Sequence, residues 1–295
     1  MNVGLIDVDG HNFPNLPLMK ISAWVKNEGG CVEWCNGFLH YDRIYKSRVF
    51  DDTYTNEIDY AYNADEIICG GTGYGLDNKL PDEIEHIYPD YSLYGIEGVA
   101  YGFLTRGCPR KCQFCIVSKK EGSRSVQVAE LDEFWRGQER IVLLDPNITA
   151  SKECERLFDG LIQTGSKIEF NQGIDARFIT DKGCDQLNRM RIEMCHFAWD
   201  NYEFKTYEKL KRIRPLLNYE GRRLRVYVLT NFNTTFEQDV ERVTKLQELD
   251  YDPFVMIYDK PNAPNELRRF QRWCNNKFVY RSCSWDEYGK TWKGD

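Results

Sequence analysis

Short apolar runs of strand length alternate along this chain with longer segments of helical spacing. Val3 to Val8 is one such run, and Asp9-Gly10-His11-Asn12-Phe13-Pro14-Asn15 after it is loop chemistry. Leu16 to Lys26 then carries apolar residues at helical spacing until Gly29-Gly30 stops it. Cys31 to Trp34, Arg43 to Phe50 and Glu66 to Cys69 read as three further strands, the last running into Gly70-Gly71-Thr72-Gly73-Tyr74-Gly75. Strands separated by crossovers imply a parallel sheet, so residues 1–76 are expected to form a small Rossmann-like domain. Residues 77–100, with Pro81, Pro89 and a Tyr-rich stretch, show little periodicity and predict a linker.

A second series starts at Tyr101. Its predicted strands are Gly102 to Thr105, Ile141 to Leu144, Lys167 to Phe170, Met194 to Trp199, Leu224 to Thr230 and Phe254 to Tyr258. Helical spacing marks 130–137, 151–164, 180–190, 203–217 and 236–249, with start signals at Thr180-Asp181 and Thr234-Thr235. The fold class expected is therefore α/β: a partial (β/α)6 TIM-like barrel over 101–260, preceded by the small parallel-sheet domain and followed by a C-terminal cap over 261–295. Within the cap, Asn265 to Cys274 is amphipathic, and Trp273, Tyr280, Trp285 and Tyr288 either pack it or offer stacking surfaces. No internal repeat or low-complexity segment is present.

Composition changes this picture little. With 42% hydrophobic and 29% charged residues the chain has ordinary globular usage. No run of about 18 apolar residues occurs and no basic region precedes the first strand, so a cytoplasmic protein without membrane spans is expected. A formal charge of −7 argues against a broad nucleic-acid-binding face. Segment 105–124 is a local exception, with Arg106, Arg110, Lys111, Lys119, Lys120 and Arg124 serving either an anionic ligand or solvation of a loop. Eleven cysteines, an odd number, point to reduced thiols and metal binding. Cys69, Cys154, Cys184 and Cys195 sit in apolar or helical settings as core filler. Cys31 and Cys35 lie on an extended segment about 13 Å apart, which excludes them as a shared metal site.

The chemistry concentrates in Gly107-Cys108-Pro109-Arg110-Lys111-Cys112-Gln113-Phe114-Cys115, directly after the first strand of the second series. Loops at strand C-termini are where barrel enzymes keep their active sites. Three thiolates, from Cys108, Cys112 and Cys115, can hold three corners of a 4Fe-4S cubane and leave one iron open. A structural zinc knot with one distant ligand is the alternative that spacing alone permits.

This triplet resembles the signature of the radical S-adenosylmethionine (SAM) superfamily, with gaps of three and two residues and an aromatic, Phe114, before the last cysteine. The resemblance implies a 4Fe-4S cluster that binds SAM at its open iron and cleaves it reductively, starting radical chemistry on a substrate the sequence does not name. It also implies an electron donor such as flavodoxin or ferredoxin, and places Phe114 close to the adenine of SAM. Asp145, in Leu144-Asp145-Pro146-Asn147, falls where the superfamily binds the SAM amino group, though Asp-Pro-Asn is also turn chemistry. Asn171, Gln172, Asp175 and Arg177 after the third strand are candidates for contacting SAM or substrate, with an Asp175–Arg177 tie stapling the loop as the alternative. Asp200-Asn201 and Thr230-Asn231 continue the ring of polar strand ends, and Asp200 joins the candidate SAM ligands.

The N-terminal unit resembles a short or degenerate cobalamin-binding domain, with Asp9-Gly10-His11 after its first strand and Gly70-Gly71 after its fourth. Pro14 stands where that motif expects a glycine. Cobalamin is thus a further candidate cofactor. The expected function is a radical SAM enzyme; the alternatives are a cobalamin-dependent radical SAM methyltransferase and a non-catalytic iron-sulfur binding or regulatory module.

Overall fold

A computed structural model describes residues 1–51, 54, 55, 57 and 61–291. It is a mixed α/β protein with two all-parallel sheets. The first contains β1 (Asn2–Asp7), β2 (Cys31–Trp34), β3 (Tyr41–Ser47) and β4 (Ala64–Gly70) in the order β2-β1-β3-β4. Helix α1 (Leu16–Asn27) crosses from β1 to β2 and starts where expected, because the Asn15 side chain accepts the Leu18 N–H at 3.2 Å while donating to Ser47 Oγ at 2.8 Å. One cap of this kind stabilises a helix by about 1 kcal/mol. Val3, Leu5, Leu18, Ile21, Val25 and Tyr45 form the buried layer between sheet and helix.

Residues 77–100 hold a short helix α2 (Asp82–Glu85) and a 3-10 turn, Tyr91–Tyr94. This connection is packed structure rather than a loose tether. The Tyr91 hydroxyl donates to the Phe134 carbonyl at 2.7 Å and accepts from the Tyr101 N–H at 3.0 Å, and Leu16 and Met19 of α1 enter the same core as Tyr91.

Beyond it come β5 (Val99–Gly102), a two-residue antiparallel pair β6 (Thr105–Arg106) and β7 (Val126–Gln127), and a one-turn helix α3 (Val117–Lys120) between them. Then β8 (Arg140–Leu143), α4 (Cys154–Thr164), β9 (Lys167–Ile174), α5 (Asp181–Arg189), β10 (Arg191–Ala198), α6 (Phe204–Ile213), β11 (Leu224–Thr230), α7 (Phe236–Glu248) and β12 (Asp252–Ile257) alternate. Helices α8 (Asn265–Asn275), α9 (Lys277–Ser282) and α10 (Trp285–Thr291) form the C-terminal segment, α8 against β12. Ring contacts among Phe270, Trp273, Tyr280 and Trp285 show these aromatics packing the cap, with Trp273 and Tyr280 buried.

Two expectations are corrected here. The predicted helix at 130–137 is a single 3-10 turn, Leu131–Glu133: a Glu130–Glu133 capping box starts it, and Phe134 leaves helical geometry at φ −139. The first strand of the series ends at Gly102, because the Leu104 and Thr105 N–H groups turn to the Asp145 carboxylate instead of a neighbouring strand.

The second sheet has the order β5-β8-β9-β10-β11-β12, with β5 and β12 as open edges. Right-handed crossovers in an order that never reverses place the connecting helices on one face. Ile141, Leu143, Ile168, Phe170, Phe197, Val226, Val228 and Val255 are buried in the core on that side. Residues between them, including Glu169, Asn171, Tyr227 and Phe254, are half-buried on the other face. A parallel sheet buried on both faces reads as continuous apolar strands. The alternation along Lys167-Ile168-Glu169-Phe170-Asn171 instead marks a polar inner face.

Candidate functional site

The cysteine loop leaves the sheet through Leu104 and Thr105, and Asp145 fixes that departure. Its carboxylate accepts from Leu104 N at 3.1 Å and from Thr105 N and Oγ1 at 2.5 and 2.7 Å. Burial pushes its pKa up to about 6 despite those bonds. The structure thus places Asp145 as a staple beneath the loop. Glu121 closes the loop from the other side, taking Arg106 Nη1 at 3.1 Å and Gly107 N at 3.3 Å, and Cys108 N donates to Gly122 O at 3.1 Å. Gly107 is required here: φ is +85°, and a Cβ would stand 2.1 Å from the Arg124 carbonyl oxygen.

Cys108, Cys112 and Cys115 are free and half-buried, and Cys115 N donates to Cys112 O at 3.1 Å in a tight turn. Burial raises the Cys112 and Cys115 thiols, opposed at Cys112 by the Arg110 guanidinium. Among the described residues no three His, Cys, Asp or Glu side chains converge on one point as ligands of a single metal ion. Asn147, a residue outside the sequence-derived site, donates Nδ2–H to Cys108 Sγ at 3.4 Å. Hydrogen bonds to sulfur are one of the protein's levers on cluster potential.

The later strand ends are tied to this loop. Thr149 Oγ1 donates to Asn147 Oδ1 at 3.1 Å and accepts from Asp175 N at 3.2 Å. Asp175 is bound side-on by Arg177, through Nε at 2.7 Å and Nη2 at 2.8 Å, so this pair does staple its loop. Arg177 Nη1 reaches Glu203 at 3.6 Å, and Glu203 lies 4.0 Å from Arg110 of the cysteine loop. The side chains of Asn171, Gln172 and Asp200 make no hydrogen bond among the described residues. Asp200 is pushed up to about 6 by burial, against the pull of Arg242, Arg177 and Arg110, and it lies close enough to Cys112 and Cys115 to raise both thiols.

A cleft of about 500 Å³ opens over the cysteine loop, between Arg110, Cys112 and Phe114 on one side and Asn201, Phe232 and Asn233 on the other. Phe114 meets Phe232 edge-on at 5.5 Å, and Phe232 meets Tyr258 at 4.9 Å. Asn233 Nδ2 donates to Asn201 Oδ1 at 3.1 Å. Sequence reasoning missed Phe232 and Tyr258; the available signal was an aromatic following the end of each of the last two strands. Arg242 holds the rim from behind. Fully buried, it donates to the Trp199 and Leu229 carbonyls at the ends of β10 and β11 and pairs with Asp239.

No protein-family model and no curated protein matches this sequence. Solved structures of SuiB from Streptococcus suis are similar to part of this chain. The structure "bound to precursor peptide SuiA" matches at TM-score 0.44 and 13% identity over 63% of this chain and 47% of that one. The structure "bound to S-adenosylmethionine" matches at TM-score 0.44 and 14% identity over 62% and 48%. The chain spans about half the length of SuiB. Likeness at this level fixes neither activity nor substrate. No helix among the described residues is long and apolar enough to cross a membrane.

The N-terminal residues resembling a cobalamin site have other occupations. Asp9 accepts from Val49 N at 2.5 Å, Phe50 N at 3.3 Å and Thr55 Oγ1 at 2.7 Å. The His11 ring lies 4.1 Å from Trp34 and 5.5 Å from Tyr94. Gly71, at φ +95°, abuts the chain itself, since a Cβ there would lie 2.2 Å from the Arg48 carbonyl oxygen. Gly71 is thus occupied by the protein's own loop, while a Cβ on Gly70 would meet nothing within 4 Å.

Proposed function

We propose that this protein is a radical SAM enzyme, with the six-stranded sheet as the wall of a partial (β/α)6 barrel open between β5 and β12. The observation carrying this reading is three free, half-buried thiols on one loop after the first strand of an in-order parallel sheet, beside a cleft of about 500 Å³. Cys108, Cys112 and Cys115 would hold a 4Fe-4S cluster, which supplies an electron to the sulfonium of SAM. Phe114 and Phe232 offer apolar ring surface for adenine, and the Asn201 and Asn233 amides offer donors and acceptors beside it. Asp200, a carboxylate with no hydrogen bond among the described residues, is the group suited to accept from the hydroxyl or ammonium groups of SAM, and Asn171 and Gln172 carry further unengaged amides on β9. Asp145 and the Asp175–Arg177 pair orient the loops that carry these groups. Substrate would lie against the half-buried inner face of Asn171, Tyr227 and Phe254.

Anaerobic reconstitution with iron and sulfide, followed by dithionite and SAM, is expected to release 5′-deoxyadenosine. Cys112→Ala is expected to lose both cluster absorbance and SAM cleavage. An intact cluster with no cleavage would favour the non-catalytic iron-sulfur module, and cleavage retained in Cys112→Ala would remove the reading altogether.

A further inference from the structure

At the opposite end of the same sheet, three adjacent strands begin on cations in one row: Arg140 of β8 lies beside Lys167 of β9, and Lys167 beside Arg191 of β10. Like charges directly across neighbouring strands destabilise a sheet. The chain's own carboxylates relieve only the first: Arg140 pairs with Glu169 and, at 3.1 Å, with Glu193. No carboxylate pairs with Lys167, Arg191 or Arg223 among the described residues, although the chain is acidic overall at −7.

These three cations line a cleft of about 530 Å³ together with Tyr219, the apolar Met190 and Ile192, and Glu193, whose carboxylate is paired with Arg140 at 3.1 Å. That volume lies within the range of small-molecule sites. Both guanidiniums are held in place, Arg191 Nη1 by the Gly165 carbonyl at 2.8 Å and Arg223 Nη1 by the Ile192 carbonyl at 2.9 Å. Each retains four other N–H donors, so orientation is fixed while the fork stays available to a planar or tetrahedral oxyanion. Ordering these side chains in advance lowers the entropic cost of binding. Along β9 the cleft lies about 25 Å from the strand end that faces the cysteine loop, so it is separate from the site described above.

We propose that Lys167, Arg191 and Arg223 form a binding site for a small polyanion bearing phosphate or carboxylate groups. Titrating the full-length protein with pyrophosphate and with citrate, each at fixed ionic strength against chloride, tests this by calorimetry and by thermal midpoint. Saturable binding at one site and a raised midpoint are expected with one of the two, pyrophosphate pointing to phosphate esters and citrate to polycarboxylates. Lys167→Glu changes an exposed, unpaired side chain and is expected to weaken binding at least about tenfold, as is Arg223→Gln. Responses no larger than those to chloride overturn the proposal, and so does affinity left unchanged in either variant.

Discussion

The two parallel sheets of this chain differ in how they finish their strands. In the four-stranded sheet the C-terminal ends are satisfied by the chain itself: Asp7 accepts from the Tyr94 hydroxyl at 2.6 Å, and Asp9 accepts three hydrogen bonds from residues 49, 50 and 55. In the six-stranded sheet Asn171 and Gln172, in the second half of β9, and Asp200, just past β10, carry side chains that make no hydrogen bond among the described residues. Gln172 is exposed and Asn171 and Asp200 are half-buried, so water can serve these groups and their side chains stay available to a ligand at that edge. Polar residues at strand ends are therefore poor markers of a site by themselves; the unsatisfied ones are better.

This contrast can be broken experimentally. Arg242→Ala is expected to cost about 3–5 kcal/mol in urea unfolding, because it strands the buried Asp239 and frees two carbonyls at the mouth of the large sheet. A loss below about 1 kcal/mol would mean that the rim is not held from behind. Asp9→Ala is expected to destabilise by about 2 kcal/mol, since it removes the acceptor for two backbone N–H groups and a hydroxyl. No change would place the end of β1 in the same unsatisfied class as β10.

Asp200→Asn should act in the opposite direction. The folded-state pKa is raised to about 6 from an ordinary 3.8, so the charged form is disfavoured in the fold. Between these values the folded protein binds more protons than the unfolded one, and the wild type loses stability as pH rises through that window. The variant does not titrate. It should be about 1 kcal/mol more stable than wild type at pH 8, with the difference gone near pH 4. A variant less stable than wild type at pH 8 would show that the Asp200 charge is structurally satisfied.

Much of the architecture was legible because buried strand positions alternate with partly exposed ones. Leu224–Thr230 was read with its observed bounds, and most other strands shifted by a few residues at an end. What escaped were departures enforced at long range. Residues 103–105 carry strand-like residues but are drawn off the sheet by Asp145, about forty positions later in the chain. Residues 130–137 have helical spacing, yet only one turn forms before Trp135 Nε1 bonds the Gln138 carbonyl at 2.9 Å. The cysteine loop was legible because its spacing is local. Asn147 on Cys108 and Phe232 against Phe114 join residues far apart in sequence, and no periodicity predicts such pairings. The cobalamin-like features were local too, and their contacts were not: Asp9 accepts from Val49 and Phe50, and Gly71 abuts Arg48.

The buried Arg242 has one more consequence. A guanidinium keeps its proton across the range in which proteins function, so the ties to the Trp199 and Leu229 carbonyls persist from acid to alkaline solution. Asp200, by contrast, has its pKa pushed up to about 6 by burial. The ties that Arg242 makes behind the mouth are thus indifferent to acidity, while the charge of Asp200 is not.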